Sequence, residues 1–266
     1  MRLSPLFFSA VALAGCSTAP TNPSFPITHA EARRVIAQMQ ADPHPLSRPL
    51  IVIGGFLDPD ISPTVFRCFF RSVTKDAQII TISVGFCGSF AECRQKVIAA
   101  LDDACPSRDP IWTTQVDVVG ASLGGLVARY AAAPSRDPAH PRRLRIARLF
   151  SISSPHAGAL LADRIALTNF HRALRPGSAF LAALAADDAQ ASYDLYPYVH
   201  LQDRIVGARY AAPPGKTPFW LADRGPLLAH NAAIMDDRIF ADIARRLRNQ
   251  PPFSHFPATP LPKAAI

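Results

Sequence analysis

A chain of 266 residues, 49% of them hydrophobic, can bury a substantial core and has the length of one ordinary α/β domain, so we expect one domain with terminal extensions. The formal net charge of +8 raises the question of nucleic acid or anionic surfaces as partners. The arginines are scattered, however, and their one cluster, at 142–148, has no interleaved aromatic residues and fits no nucleic-acid motif. We therefore expect no nucleic-acid partner.

Residues 1–15 have the composition of an export signal, with Arg2 followed by an apolar run that is shorter than the roughly 20 residues of a transmembrane helix. The end of this signal together with the next residue, LAGC from Leu13 to Cys16, resembles the lipobox of bacterial lipoproteins, in which the signal is cleaved before the cysteine and that cysteine is diacylated. An ordinary signal peptide with a chance cysteine is the alternative. The resemblance implies a lipid anchor at Cys16 in the bacterial cell envelope. In a Gram-negative host, Ser17 implies sorting to the outer membrane, facing the periplasm or the surface.

Four more cysteines remain after Cys16: Cys68, Cys87, Cys93 and Cys105. An even number in an exported chain makes them candidate disulfides, and we expect two bridges. Cys93 and Cys105 fall in one predicted helix, about 18 Å apart, so they are not expected to pair with each other, and the other connectivities stay open. A metal site is the weaker alternative, because the four have no CxxC spacing.

The segment 16–47 is predicted to hold the anchor, a spacer rich in Ser, Thr and Pro over 17–27, and a short helix capped by Thr28. From Pro49, predicted strands alternate with helices: PLIVIGG, helix 61–75, AQIITISV, helix 89–104, TQVDVVG, a helix from Leu123, ARLFSIS, LYPYVHL and a final helix Asp236–Arg248. This alternation predicts an α/β fold over 48–250, with a mostly parallel sheet covered by helices on both faces. A Pro-rich tail, 251–266, follows.

The sequence VDVVGASLGG contains the motif GxSxG, formed by Gly120, Ser122 and Gly124, between a predicted strand and a predicted helix. A nucleophile elbow requires that context, because its serine sits in a sharp, strained turn where side chains two residues before and after would clash with backbone. The alternative is a glycine-rich turn with an incidental serine. We predict that Ser122 is a nucleophile.

This segment resembles the elbow of the α/β-hydrolase superfamily, and more narrowly that of bacterial lipases and esterases related to triacylglycerol lipases and GPI inositol-deacylases. Three further stretches are similar to that family in chain order: RPLIVIGGFLD to the strand and oxyanion loop, LFSISSPHAGA to the sixth strand, and LLAHNAAIMDD to the histidine loop. The sequence departs from the family at Gly54, where a histidine is usual. The resemblance covers roughly 48–249 and implies an α/β-hydrolase fold with a helical cap inserted at about 158–196, acting on carboxylic esters. The alternative is that the helices of this insertion only cover the core.

An acyl-transfer serine needs a base, and the superfamily order of serine, acid and then histidine implies His230, in the loop before the last helix, as general base. A surface histidine is the alternative. His156 precedes every acid candidate and is expected to hydrogen-bond locally, and His200, inside a predicted strand, is expected to be structural.

The orienting acid is implied to be Asp203, because it follows a predicted strand in a D-x-x-V-G segment that resembles the one in these lipases. A surface salt bridge with Arg204 or Arg209 is the alternative role for its carboxylate. Three other candidate aspartates lie between the serine and the histidine: Asp187, Asp188 and Asp194.

The oxyanion hole is expected to use the backbone N–H groups of Leu123 and Phe56, one after the nucleophile and one in the loop after the first strand of the domain. No metal or organic cofactor is implied. The expected partners are an ester or lipid substrate and the membrane that holds the anchor, and the oligomeric state stays open. An acyltransferase with the same triad, or a non-catalytic tethered binding module, remains the alternative to an esterase or lipase.

Overall fold

The computed structural model describes residues 20–164, 169–222 and 229–266. Within these ranges six strands form one entirely parallel sheet in the order β2-β1-β3-β4-β5-β6. The strands are β1 Leu50–Ile53, β2 Ile79–Ile82, β3 Val116–Ala121, β4 Ile146–Ile152, β5 Asp194–His200 and β6 Phe219–Leu221. The chain therefore has the α/β fold that the alternating pattern predicts.

Helices cover both faces of this sheet. They are α1 His29–Ala41, α2 Ile61–Val73, α3 Phe90–Ala104, α4 Leu123–Ala132, α5 Leu160–Arg164, α6 Asn169–Ala173, α7 Ala179–Asp187, α8 Ala229–Ile234 and α9 Asp237–Leu247. Alternate residues of β1 point to opposite faces, so Ile51 and Ile53 pack in a core with α3 to α7, while Leu50 and Val52 pack in a second core with α1, α2, α8 and α9. Burial on both faces explains the unbroken apolar runs in the central strands.

The strand order places a topological switch point at the centre of the sheet. The chain winds from β1 outward to β2 on one side, and from β3 through β6 on the other. The carboxyl ends of β1 and β3 flank the point where the winding reverses, and ligand crevices in open α/β sheets form there. Gly54–Phe56 follow β1 and Ser122 follows β3, so both predicted site segments lie at this crevice.

Two elements near the carboxyl end differ from the sequence expectation. The short strand β6 was not predicted, because three residues, FWL, are too few for a periodic pattern to show. His230 lies in α8, a separate six-residue helix, rather than in a loop. Residues 223–228, which precede α8, lie outside the described part.

The predicted spacer is shorter than 17–27. Phe25 is 1% exposed, and its ring lies 5.9 Å from that of Tyr198 and 6.3 Å from that of Phe219. The Asn22 side chain donates a hydrogen bond of 2.8 Å to the carbonyl of Trp220. A proline-rich composition favours extended backbone but does not prevent packing of an aromatic side chain, so the segment joins the domain from Asn22 onward.

The Pro-rich tail also belongs to the domain. The indole N–H of Trp220 donates to the carbonyl of Thr259 at 2.9 Å, and the backbone N–H of Ile266 donates to the carbonyl of Leu201 at 3.1 Å. The boundary expected at 250 therefore does not separate a free tail from the fold.

The four cysteines within the described ranges are free thiols, in contrast to the expected pair of disulfides. Cys68 is exposed on α2, which packs on one face of the sheet, whereas Cys87, Cys93 and Cys105 lie in the core on the other face. The sheet thus separates Cys68 from the other three. Burial, together with the neighbouring Cys87 thiol, raises the pKa of Cys93.

No helix in the described ranges is long and apolar enough to cross a membrane. Residues 1–19, with the predicted signal peptide and Cys16, lie outside the described part of the chain.

Candidate active site

Ser122 occupies a strained turn between β3 and α4. Its backbone has φ 49° and ψ −120°, a conformation that side chains rarely adopt. A Cβ at Gly120 would collide with the backbone of Gly125, and a Cβ at Gly124 would collide with the carbonyl of Ile53. Both glycines of the GxSxG motif are therefore required sterically by the turn that presents the serine.

The structure brings Ser122, His230 and Asp203 into one hydrogen-bonded chain. The Oγ of Ser122 lies 3.0 Å from Nε2 of His230, although 108 positions separate the two residues. The Nδ1 of His230 lies 2.9 Å from Oδ2 of Asp203. This arrangement has the connectivity of a nucleophile, a base and an orienting acid.

The environment of Asp203 keeps its carboxylate charged. The side chain is fully buried in the turn three residues after β5 ends, and its Oδ1 accepts hydrogen bonds from the backbone N–H groups of Ile205 at 2.9 Å and Val206 at 3.0 Å. Burial raises the pKa of Asp203, but the hydrogen bond and charge of His230 and the two backbone donors outweigh burial and leave the pKa below its ordinary value. Within the described ranges this carboxylate forms an ion pair with His230 and with neither Arg204 nor Arg209.

Two backbone N–H groups near Ser122 have no acceptor among the described residues and can stabilise an oxyanion. Leu123 is the first residue of α4, and the first N–H groups of a helix have no acceptor within that helix. The N–H of Phe56 donates no hydrogen bond within the described ranges. The loop that carries Phe56 runs against the serine, since a Cβ at Gly55 would lie 3.2 Å from the Cβ of Ser122.

The oxyanion loop is braced by Asp58, a residue that sequence reasoning missed. The Oδ1 of Asp58 accepts from the N–H of Ile61 at 2.7 Å, and its backbone carbonyl accepts from the Ser83 hydroxyl at 2.8 Å. The adjacent N–H of Leu57 donates to Gly85 at 3.1 Å. These contacts hold the loop without a histidine at position 54. Asp60 is the N-cap residue of α2, yet it is the carboxylate of Asp58 that accepts from the first N–H groups of this helix. The available signal was an aspartate shortly before a predicted helix, where its carboxylate can accept from the unpaired N–H groups.

The side chain of His156 forms its hydrogen bonds with residues other than Ser122. Its Nε2 lies 2.8 Å from the hydroxyl of Ser151, and its Nδ1 lies 3.1 Å from Nη1 of Arg129. Burial and the Arg129 charge lower the pKa of His156 well below its ordinary value, so the ring stays neutral. The buried Arg129 also pairs with Asp188 at 2.5 Å, which ties the helix after the serine to the turn after α7.

His200 and the other candidate aspartates lie away from His230 and have partners or positions of their own. His200 pairs with the buried Asp236 at 2.8 Å, Asp187 pairs with Arg136 at 2.9 Å, and Asp194 lies exposed at the start of β5. Of the four candidate acids, Asp203 is the one that contacts His230 in the described ranges.

A grouping of His29, Asp236 and Asp237 has the spacing of metal ligands. Its carboxylates already have cationic partners: Arg238 lies 2.6 Å from Asp236, and Arg33 lies 3.8 Å from Asp237. These contacts compensate the negative charge that would draw a cation. The grouping is therefore explained as a set of structural ion pairs.

Two apolar recesses meet at Ser122. The larger, here called the groove, has a volume of about 610 Å³, and the smaller, here called the side pocket, about 140 Å³. Four residues line both: Phe56, Ser122, Leu161 and Ile205. Three of these are apolar and partly exposed, so the mouth of the site presents hydrophobic side chains to solvent.

The segment predicted as a cap contributes to this mouth. Its described part contains α5, α6 and α7, and residues 165–168 lie outside the description. The ring of Phe56 lies 5.9 Å from that of Phe170 and 5.3 Å from that of His171, both on α6. The insertion therefore packs against the loop after β1.

No protein-family model matches the chain, and no curated protein matches it. Among solved structures 23 chains match it. One of these, the product of the gene lin2722 from Listeria innocua, is similar with a TM-score of 0.53 and 16% identity over 77% of this chain and 95% of the other. At that identity the likeness shows a shared fold alone.

Proposed function

We propose that this protein is a serine hydrolase of carboxylic esters, an esterase or lipase with the α/β-hydrolase fold and a helical cap. The observation that carries the proposal is the hydrogen-bonded chain from Ser122 through His230 to Asp203 at the switch point of the sheet. Acyl transfer requires a nucleophile, a base, an orienting acid and donors for the oxyanion. The serine, the histidine, the aspartate and the two nearby backbone N–H groups provide them.

In the first half-reaction Ser122 Oγ attacks the ester carbonyl as its proton passes to Nε2 of His230. The carbonyl oxygen becomes an oxyanion, which the N–H groups of Leu123 and Phe56 stabilise. The intermediate collapses to an acyl-enzyme, and the leaving alkoxide takes the proton from His230. Asp203 orients the imidazole and stabilises its positive charge while it holds that proton.

In the second half-reaction water replaces the alcohol. Its proton passes to His230 as its oxygen bonds to the acyl carbon, and collapse returns that proton to Ser122 and releases the acid. The buried position of Asp203 and the apolar walls around Ser122 support this chemistry, because electrostatic interactions are stronger where water is excluded.

We further propose that the enzyme is held at the bacterial envelope by a lipid on Cys16, with its active site open to ester or lipid substrates. The support is the lipobox resemblance in the sequence together with the apolar mouth of the site. An acyltransferase would use the same residues with another acceptor, and no contact in the structure favours it over a hydrolase.

The test is labelling by a fluorophosphonate, combined with hydrolysis of p-nitrophenyl butanoate. The wild type is expected to be labelled and active, and Ser122→Ala to lose labelling and about 10⁶ in kcat with an unchanged melting temperature. Ser192→Ala, which changes an exposed serine away from His230, is the matched control and is expected to behave as the wild type. Retention of activity within tenfold in a folded Ser122→Ala would overturn the proposal.

A further inference from the structure

The groove and the side pocket differ in which catalytic groups they contain. His230 lines the groove and not the side pocket, whereas Leu123 lines the side pocket and not the groove. The two recesses therefore present different chemistry to the two halves of an ester bound at Ser122.

The path of the proton assigns each half of the ester to a recess. This step rests on the proposed function, in which the leaving oxygen receives its proton from Nε2 of His230. That oxygen must lie within hydrogen-bond reach of the imidazole, so the alcohol to which it belongs extends along the groove. The acyl chain leaves the same carbon in another direction, and the side pocket is the second apolar recess at Ser122 among the described residues.

The volumes then limit each half. A cavity of roughly 150 Å³ holds one benzene molecule, so the side pocket, at about 140 Å³, has room for an acyl group of about six carbons. The groove is more than four times as large, and its walls include Ile61 and Met235, which are both largely exposed. It can accept a long or branched hydrocarbon.

We infer that the substrates are esters of short acids, up to about six carbons, with large apolar alcohols, rather than esters of long-chain fatty acids. The groove side chains supply binding energy to the alcohol half, and the wall of the side pocket at Leu174 sets the limit on the acyl half.

Two substrate series test this inference on the full-length protein. In 1-naphthyl esters of straight-chain acids from two to twelve carbons, kcat/KM is expected to peak at four to six carbons and to fall at least tenfold by ten. In butanoate esters of alcohols from ethanol to dodecanol, kcat/KM is expected to rise about two- to fourfold per added methylene until the groove is filled, as expected for burial of hydrocarbon.

Substitutions in the walls of the two recesses test which recess determines the dependence on acyl length and which determines the dependence on alcohol length. Leu174→Ala is expected to move the acyl optimum up by about two carbons, and the milder Leu174→Val by about one, so that a folded protein is available if the alanine variant is unstable. Met235→Gln, an exposed change of nearly equal size, is expected to reduce the gain per methylene in the alcohol series without moving the acyl optimum.

The outcomes separate the two proposals. Hydrolysis that depends on Ser122 but peaks at ten or more acyl carbons, or is indifferent to alcohol length, would overturn the subsite assignment and leave the esterase intact. If neither series is hydrolysed, or hydrolysis persists in Ser122→Ala, the esterase proposal fails and the assignment fails with it.

Discussion

Asp203→Asn changes one atom of the proposed triad, and the structure determines how the new amide must lie. Oδ1 of Asp203 accepts from two backbone N–H groups, at 2.9 and 3.0 Å, while Oδ2 faces Nδ1 of His230. In the variant the two backbone donors hold the amide oxygen in the place of Oδ1, so the NH₂ group faces His230. Nδ1 must then accept a hydrogen bond, which leaves the imidazole proton on Nε2, and Nε2 can no longer accept the proton of Ser122.

The expected loss is large in rate and small in stability. Enforcing the wrong tautomer lowers kcat by about 10⁴, which corresponds to about 5.5 kcal/mol of barrier. The variant keeps both backbone hydrogen bonds and the packing of Asp203, so the free energy of unfolding should fall by only about 1 to 3 kcal/mol.

The assay is steady-state hydrolysis of p-nitrophenyl butanoate, accompanied by a urea unfolding curve. Asp187→Asn is the matched control: it makes the same chemical change at a neighbouring candidate acid that pairs with Arg136, and its kcat should stay within twofold of wild type. A folded Asp203→Asn with kcat within tenfold of wild type would refute the tautomer argument.

Three further outcomes are expected. Phe56→Pro removes a backbone donor and should lower kcat by about 10² to 10³, whereas Phe56→Ala keeps the donor and should mainly change KM; equal losses in two folded variants would contradict the oxyanion role. Burial raises the pKa of Asp236, but hydrogen bonds from His200 and Arg238 outweigh it and lower the pKa. Its stabilising contribution is therefore present above the unfolded pKa of about 3.9 and is lost as the pH falls below that value. Asp236→Asn should lower the free energy of unfolding by about 3 to 5 kcal/mol at pH 7. It should also reduce the decrease of that free energy at acid pH, measured by urea unfolding at a series of pH values. An unchanged decrease at acid pH would contradict the role of Asp236. Cys16→Ser should release the protein from the membrane fraction or block its processing, and unchanged membrane association on fractionation would count against the lipid anchor.

The local features of this protein were readable from its sequence. Apolar runs predicted five of the six described strands of the parallel sheet, and the helices between them followed from the alternating pattern. The helix before the first strand followed from its capping residue, Thr28. The spacing of Gly120, Ser122 and Gly124 predicted the strained turn, because only glycine avoids backbone collisions there. These properties depend on neighbours within a few positions along the chain.

Contacts between distant segments were decided by the tertiary structure. Three contacts depend on the order in which the strands lie in the sheet. They are the hydrogen bond between Ser122 and His230, the pairing of His230 with Asp203 and not with another of the four candidate acids, and the bracing of the oxyanion loop by Asp58. The sequence indicated Phe25 as part of a free spacer, yet its ring is buried against two strands. The volumes of the groove and the side pocket likewise depend on side chains from many separate elements. A local sequence pattern therefore cannot predict them. Composition and periodicity determine which faces of each element are apolar, but the pairing of those faces is settled by packing of the whole chain.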